Sequence, residues 1–600
     1  MVSRRNLVTV LLMMVTIFFM FQFTQVIKVR NNQYDTNEYV KESVLTANGR
    51  YNANYSNDCL VYIGSTNTEE YKAVEDWSDY SKKYLKTYAD FSSLDESTVS
   101  KARMILIDAE SVNCLTNNTE IEKLTKYGNP IVFVNMPSVS DIRLSALLRK
   151  LTGISNVRAD EVEALGFQAF NGFLLGGEAA YLPQKEEEEK YNDLDLTVPW
   201  YETGMGTTTY VVGMMKEGEY KANEFPKLIW RNNYNGTYIY SINTDVFNAE
   251  TGMGFLSAID YTSHEYSVYP VVNAQNMVLS DYPVITEENT DEIKQIYSMD
   301  AMTLSRDITW PVFVSIATRY KLKLTCFVNT GYEYPTDKKP SDEYLSFYLQ
   351  QVKEINGEFG RSLDTADIEK QFKAKSRDDE YFFEKDGGYH YASAYIPHVN
   401  DDLSERLEED NLILSRVHTV VSNKDDNEIL SYIDDSVTLQ TITNVADEYT
   451  YSKELKHRCM LTSMGYSTTL IDMHKVEFPE GSDDEWQNFS KKVTANLNTF
   501  WTANDEFEYT AVSESDLRVR EFLNLDYNHS RTDNTIALRT LGVDEAYYVL
   551  RTHDEDIKKI SGGEYTKIEK DAFLIHVTGN VTLIELEESE DILSYKGLYH

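Results

Sequence analysis

Apolar positions are densest at the start of the chain: from Asn6 to Ile27 no residue is charged, and the run LVTVLLMMVTIFFMF is almost wholly apolar. At about 1.5 Å per residue this run is long enough to cross a hydrocarbon core of about 30 Å, and it predicts one transmembrane helix. It exceeds the roughly 7–15 residue apolar region of a cleaved signal peptide and passes into Lys28 and Arg30 with no small-x-small exit. A retained anchor over residues 1–30 is therefore expected. Arg4 and Arg5 face Lys28 and Arg30 across it, so the positive-inside rule does not fix its orientation. The usual arrangement of an N-terminal anchor puts the body outside the cytoplasm, as a single-pass protein of the cell membrane.

A polar juxtamembrane linker over 31–57 leads into an alternating pattern: strand CLVYIG, helix near Glu69–Tyr88, strand ARMILIDA, helix near Glu120–Tyr127, strand NPIVFVN. Short apolar strands separated by helix-length segments predict a parallel sheet covered on both faces, a small doubly wound (flavodoxin- or Rossmann-like) domain over 58–250. TTTYVVGMM and GTYIYSINT are its expected closing strands. The alternation resumes in YPVVNAQNMVLSDYPV, DITWPVFVSIATRYK, LKLTCFVNT, SDEYLSFYLQQVKEI and EFGRSL, and it runs on through NLILSRVHTVV, SVTLQTITNV and YSTTLIDMHKV. That is enough strands for a distorted β/α barrel over 251–500. From Glu506 the segments FEYTAV, TIALRTL, AYYVLRT, AFLIHVTG and VTLIELEE are short and separated by turn signals such as SGGEY, which predicts a β-sandwich over 501–600.

Composition narrows the chemistry. A formal net charge of −40 repels nucleic acid and anionic headgroups and favours cationic partners. The four cysteines lie far apart with no C-x-x-C, and those in CLVYIG and LTCFVN read as buried free thiols. No G-x-G-x-x-G, P-loop or G-x-S-x-G occurs, and no two of the ten histidines are three or four residues apart. Nucleotide binding, acyl-enzyme chemistry and a locally encoded two-histidine metal site all lack support.

The order of the segments YPVVNAQNMVLSDYPV, ITWPVFVSIATRYKLKLTCFV, EINGEFGRSL and GYSTTLIDMHKVEFP, after a doubly wound domain and before a β-sandwich, resembles the deacetylase component of bacterial Pel-type exopolysaccharide operons. The central domain of that family is similar to NodB-type polysaccharide deacetylases. The resemblance implies a base and a metal ligand from an Asp-Asp pair at the end of the first barrel strand, with two further ligands from an H-x-x-x-H pair. Here the strand-end pair is Ser280-Asp281, so serine stands at the base position, and the histidine pair falls on Glu358 and Ser362. His474 matches the region of a histidine that supports the leaving group. Asp245 in YSINTDVF is an alternative for the aspartate, and Asp434-Asp435 is read as a helix-end turn.

The expected site therefore has Asp281 and His474 as catalytic residues, Asp281 and Glu358 as metal ligands, and Tyr282 and Trp310 as sugar-stacking residues. With the base and both imidazoles replaced, the first reading is a degenerate deacetylase-like domain that binds polysaccharide and needs no cofactor. It would serve exopolysaccharide synthesis or export beside membrane synthase components. The alternatives are an active metal-dependent deacetylase, with a divalent ion held by Asp281, Glu358 and distant residues such as Asp472 or His474, and a non-catalytic scaffold.

Overall fold

The structure, a computed structural model, describes residues 45–47 and 58–589 apart from 217, 219, 335–336, 384–388, 400–416, 426 and 502–505. The expected anchor lies outside the described residues; among those described, no helix is long and apolar enough to cross a membrane.

The N-terminal unit is built on a nine-stranded sheet. Cys59–Ile63, Met104–Asp108 and Ile131–Asn135 form its parallel centre, with Tyr84–Tyr88 at one edge. The helix expected to reach Tyr88 spans Glu69–Tyr80. Thr68 caps its start with Glu69 and Glu70 in the first turn, and Lys82 at φ 57 turns the chain so that YLKTY becomes the edge strand. Thr237–Ile242 joins the parallel half, and four antiparallel strands extend it, so only part of the sheet is doubly wound.

Helix Ala249–Ser263 is the hub of the molecule. It is buried over nearly its whole length, as an all-round apolar helix must be. Gly252 faces Ala73 of the Glu69–Tyr80 helix, and Gly254 faces Cys459 of the barrel helix Tyr451–Met464.

The run YPVVNAQNMVLS makes two strands in two domains. Tyr266–Val271 pairs antiparallel with Ala546–Thr552 in the C-terminal sandwich. Asn273, at φ 57, then redirects the chain into the first barrel strand. The barrel strands are β1 (Ala274–Ser280), β2 (Leu324–Val328), β3 (Glu358–Ser362), β4 (Ser393–Tyr395), β5 (Thr419–Asn423), β6 (Thr438–Ile442) and β7 (Tyr466–Asp472). β1 to β5 pair in parallel in chain order, β6 follows β5, and β7 lies on the other side of β1. Beyond Thr443 the β6 strand continues as Asn444–Val445, which pairs with β7 and carries the sheet round.

FEYTAV does not begin the sandwich. Tyr509–Thr510 pairs with β1, and helix Val512–Asn524 then lies across the N-terminal ends of the barrel strands. Its Val512 N–H donates to Thr325 and its Ser515 hydroxyl to Gln440. The sandwich proper starts at Asp526, with two four-stranded sheets enclosing Val268, Ile536, Tyr548, Phe573 and Ile584. All four cysteines are free, and Cys114, Cys326 and Cys459 are buried.

Candidate metal centre at the barrel mouth

The C-terminal ends of β1, β3 and β7 bring together Asp281, Asp364 and His474, each offering one ligand atom within 4.8 Å of the others. Asp281 leaves β1 with φ 49, a left-handed conformation that aspartate tolerates better than most residues. Its Oδ1 accepts from Ser362 Oγ (2.5 Å) and from Asn329 Nδ2 (2.8 Å). Asn329 is oriented in turn by the fully buried Lys375, whose Nζ donates to Asn329 Oδ1 (2.8 Å) and Thr330 Oγ1 (3.0 Å) beside Asp379. A chain of buried polar groups thus fixes one oxygen of Asp281 and leaves the other for the site.

That other oxygen, Oδ2, is buried with no hydrogen-bond partner, and so is His474 Nδ1, 3.7 Å away. The imidazole stacks on Phe478 (ring centroids 4.8 Å apart) and packs at a tilt against Tyr332 (4.2 Å), the two aromatic rings touching each other beside it. Burial, reinforced by the Asp281 charge, pushes the Asp364 carboxyl well above its ordinary range. Two carboxylates crowded beside an unpaired imidazole nitrogen lack a positive charge. One imidazole and two carboxylate oxygens suit a divalent ion such as manganese, cobalt or zinc, so the donor set fits a metal.

Asp472, at the end of β7, stands in register with Ser280, which donates to its Oδ1 (2.9 Å). A carboxylate therefore sits beside the position where β1 itself carries serine. Burial, with the charges of Asp472, Asp281 and Asp364 adding to it, pushes the Tyr395 phenol of β4 well above its usual range. A cavity of about 10 Å³, room for one water, adjoins the cluster and is lined by Asp281, Glu288, Asn329 and Glu477.

Glu358 takes no part in the cluster. It starts β3, where Thr325 Oγ1 (3.0 Å), Ser513 N (2.9 Å) and Ser513 Oγ donate to it, whereas Ser362 ends the same strand beside Asp281. Four residues of strand span roughly 13 Å at about 3.3 Å each, so positions i and i+4 cannot share an ion as they can on a helix. Tyr282 and Trp310 are core residues at 0% and 3% exposure, stacked on each other and in T-shaped contact with Phe313 and Tyr348, with no face left for a sugar. Asp364 escaped the sequence reading, although SLDTAD carries its carboxylate just past a barrel strand, where sites on such barrels sit.

Residues 214–361 match the family described as an uncharacterised protein conserved in bacteria (DUF2194). None of the curated proteins matches the chain. Among solved structures, that of Agd3, described as a novel carbohydrate deacetylase, superposes on 89% of this chain and 99% of its own at a TM-score of 0.51 and 9% identity. The chain has a carbohydrate-deacetylase-like fold. A ThuA-like protein from Bacteroides uniformis matches 33% of this chain and 84% of its own, at TM-score 0.19 and 13% identity. A GH30 endoxylanase from Clostridium papyrosolvens matches 54% of this chain and 100% of its own, at 0.25 and 8%. Scores that low add nothing on function.

Proposed function

We propose that the protein is a divalent-metal-dependent deacetylase of an acetylated surface polysaccharide, anchored by its N-terminal apolar segment with its body outside the cytoplasm. The observation that carries this reading is the convergence of Asp281, Asp364 and His474, with Asp281 Oδ2 and His474 Nδ1 buried and unpartnered. It favours an active site over the degenerate one expected from Glu358 and Ser362. The deacetylase-like fold supports the carbohydrate class, and the apolar run from Asn6 to Ile27 supports the anchor.

Asp281, Asp364 and His474 would hold the ion, which when bound polarises an acyl carbonyl and acidifies a water. The chain's own residues do the rest. Ser362, Asn329 and Lys375 fix the Asp281 carboxylate. Tyr332 and Phe478 pack against the His474 ring, whose Nδ1 lies 3.7 Å from Asp281 Oδ2. Asp472, steered by Ser280, is the carboxylate placed to take a proton from the attacking water. Cleavage of an acetamido C–N bond would release acetate and leave a protonated amine, a product that a chain of net charge −40 attracts.

The test is metal stoichiometry and acetate release on acetylated glucosamine and galactosamine oligomers with zinc, cobalt or manganese. One ion per chain is expected, with turnover falling at least 100-fold in Asp281→Ala and Asp364→Ala and unchanged within about threefold in Glu358→Gln. Oligomer binding with neither metal nor turnover would overturn the catalytic reading and leave a polysaccharide-binding protein.

A further inference from the structure

A second cleft, of about 590 Å³, opens where the N-terminal sheet, the hub helix and the sandwich meet. None of its lining residues belongs to the barrel: Tyr210, Arg231 and Tyr238 come from the N-terminal sheet, His264 from the end of the hub helix, and His553 and Asp571 from the sandwich. Its composition is unusual for a crevice between domains. No aliphatic side chain longer than glycine lines it, and every wall is a phenol, imidazole, guanidinium, carboxylate, hydroxyl or amide.

The walls are fixed in place. Arg231 Nη1 donates to Thr262 O (2.8 Å), and its guanidinium lies 4.1 Å from the Tyr238 ring. His553 Nε2 donates to the carbonyl oxygens of Tyr261 (3.1 Å) and His264 (3.0 Å). The His553 ring stacks on Tyr261, 4.4 Å between centroids, and Arg551 backs the other face of Tyr261 at 3.9 Å. The outer face of His553 is exposed.

A ligand for such a surface needs many hydroxyl-type donors and acceptors with flat C–H faces between them, and it gains little from burying aliphatic surface. The carboxylates of Asp571 and Glu265 beside Arg231 disfavour a polyanion. We infer that this cleft is a second, non-catalytic binding site for an oligosaccharide chain. The saccharide class follows from the lining; the choice of an acetylated amino-sugar polymer rests on the proposed function. A chain held in the cleft raises the local concentration of its own acetylated residues at the barrel mouth, as a tethered second site does.

The experiment uses the full chain in detergent and hexamers of N-acetylglucosamine and N-acetylgalactosamine, titrated by calorimetry on an Asp281→Ala background. Binding of at least one hexamer is expected to persist there, and its Kd to rise at least tenfold on adding Tyr238→Ala with His553→Ala. Ser263→Trp, which projects an indole into the cleft from the end of the hub helix and leaves Tyr238 and His553 in place, is expected to do the same with an unchanged melting temperature. Loss of all binding in Asp281→Ala alone, or a Kd unmoved by both cleft variants, overturns the inference. Turnover of a monomeric acetylated sugar reads the barrel separately: its absence counts against the deacetylase, and its persistence beside a cleft that fails these titrations counts against the cleft alone.

Discussion

A proton on His457 would be expensive. The ring is 2% exposed, with Asn444 Nδ2 donating to its Nδ1 and Trp501 edge-on to its face. Burial, with the Arg458 charge adding to it, pushes the imidazole down to about 3. The unfolded chain takes up that proton at about pH 6.5, so the contribution is fully present above about pH 6.5 and is lost as pH falls toward about 3, at up to about 1.4 kcal/mol per pH unit. His457→Gln keeps an acceptor for Asn444 and cannot titrate. Urea unfolding at several pH values between 7 and 4 is expected to show a shallower loss of stability in this variant; parallel curves would contradict the account. At the same scale the sequence was legible where chemistry and strand ends coincide, as at Asp281 and His474. It misled where a periodicity was borrowed: Glu358 and Ser362 share one face of a strand but sit at opposite ends of the barrel. Asp364 was illegible because a loop carboxylate in a chain with 97 acidic residues carries no periodic signal.

The elements were read best where two apolar faces made a continuous run, as in β2 and β7, and worst where one run served two domains. Tyr266–Val271 and β1 read as one segment, and only the left-handed Asn273 divides them. The hub helix went unread for a related reason: buried all round, it has no amphipathic period to recognise. Its closest approach defines a prediction. A Cβ on Gly254 would lie 2.5 Å from the Cα of Cys459, so Gly254→Ala must force the hub helix and the Tyr451–Met464 helix apart. A loss of about 1–3 kcal/mol is expected, despite the better helix propensity of alanine, and thermal unfolding reads it directly. Gly481→Ala, with open space at its Cβ, is the control and should leave the melting temperature within about 1 °C.

Across the whole molecule, the N-terminal unit, the hub helix and the sandwich share one buried ion network. Arg103 donates to Asp260 through Nε (2.5 Å) and Nη2 (3.0 Å) and lies 3.5 Å from Asp58, which in turn approaches His529 of the sandwich. Burial alone would raise the Asp260 carboxyl, but Arg103, with Lys83 and His264 behind it, holds it well below the ordinary carboxylate range. Arg103→Met keeps the bulk and strands that charge, so a loss of about 3–5 kcal/mol is expected by urea unfolding. The double change Arg103→Met with Asp260→Asn is expected to recover part of it; equal losses in both would place the effect in packing and not in the ion pair. A fold in which three units meet on one helix cannot be read segment by segment, because its contacts join residues hundreds of positions apart.

The strand Tyr266–Val271 has a consequence for how the chain is made. Its sheet partner begins at Ala546, about 275 residues later. A ribosome adding about 5–20 residues per second needs roughly 14–55 s to bridge that gap. Throughout that time the nascent chain carries an apolar strand, with Val268, Tyr269 and Val271, that has no ladder to join. Such an edge is where a growing chain pairs wrongly or recruits a chaperone. The sandwich is therefore the last unit to close, and a chain truncated before Ala546 is expected to be held by folding factors or destroyed, however complete its barrel.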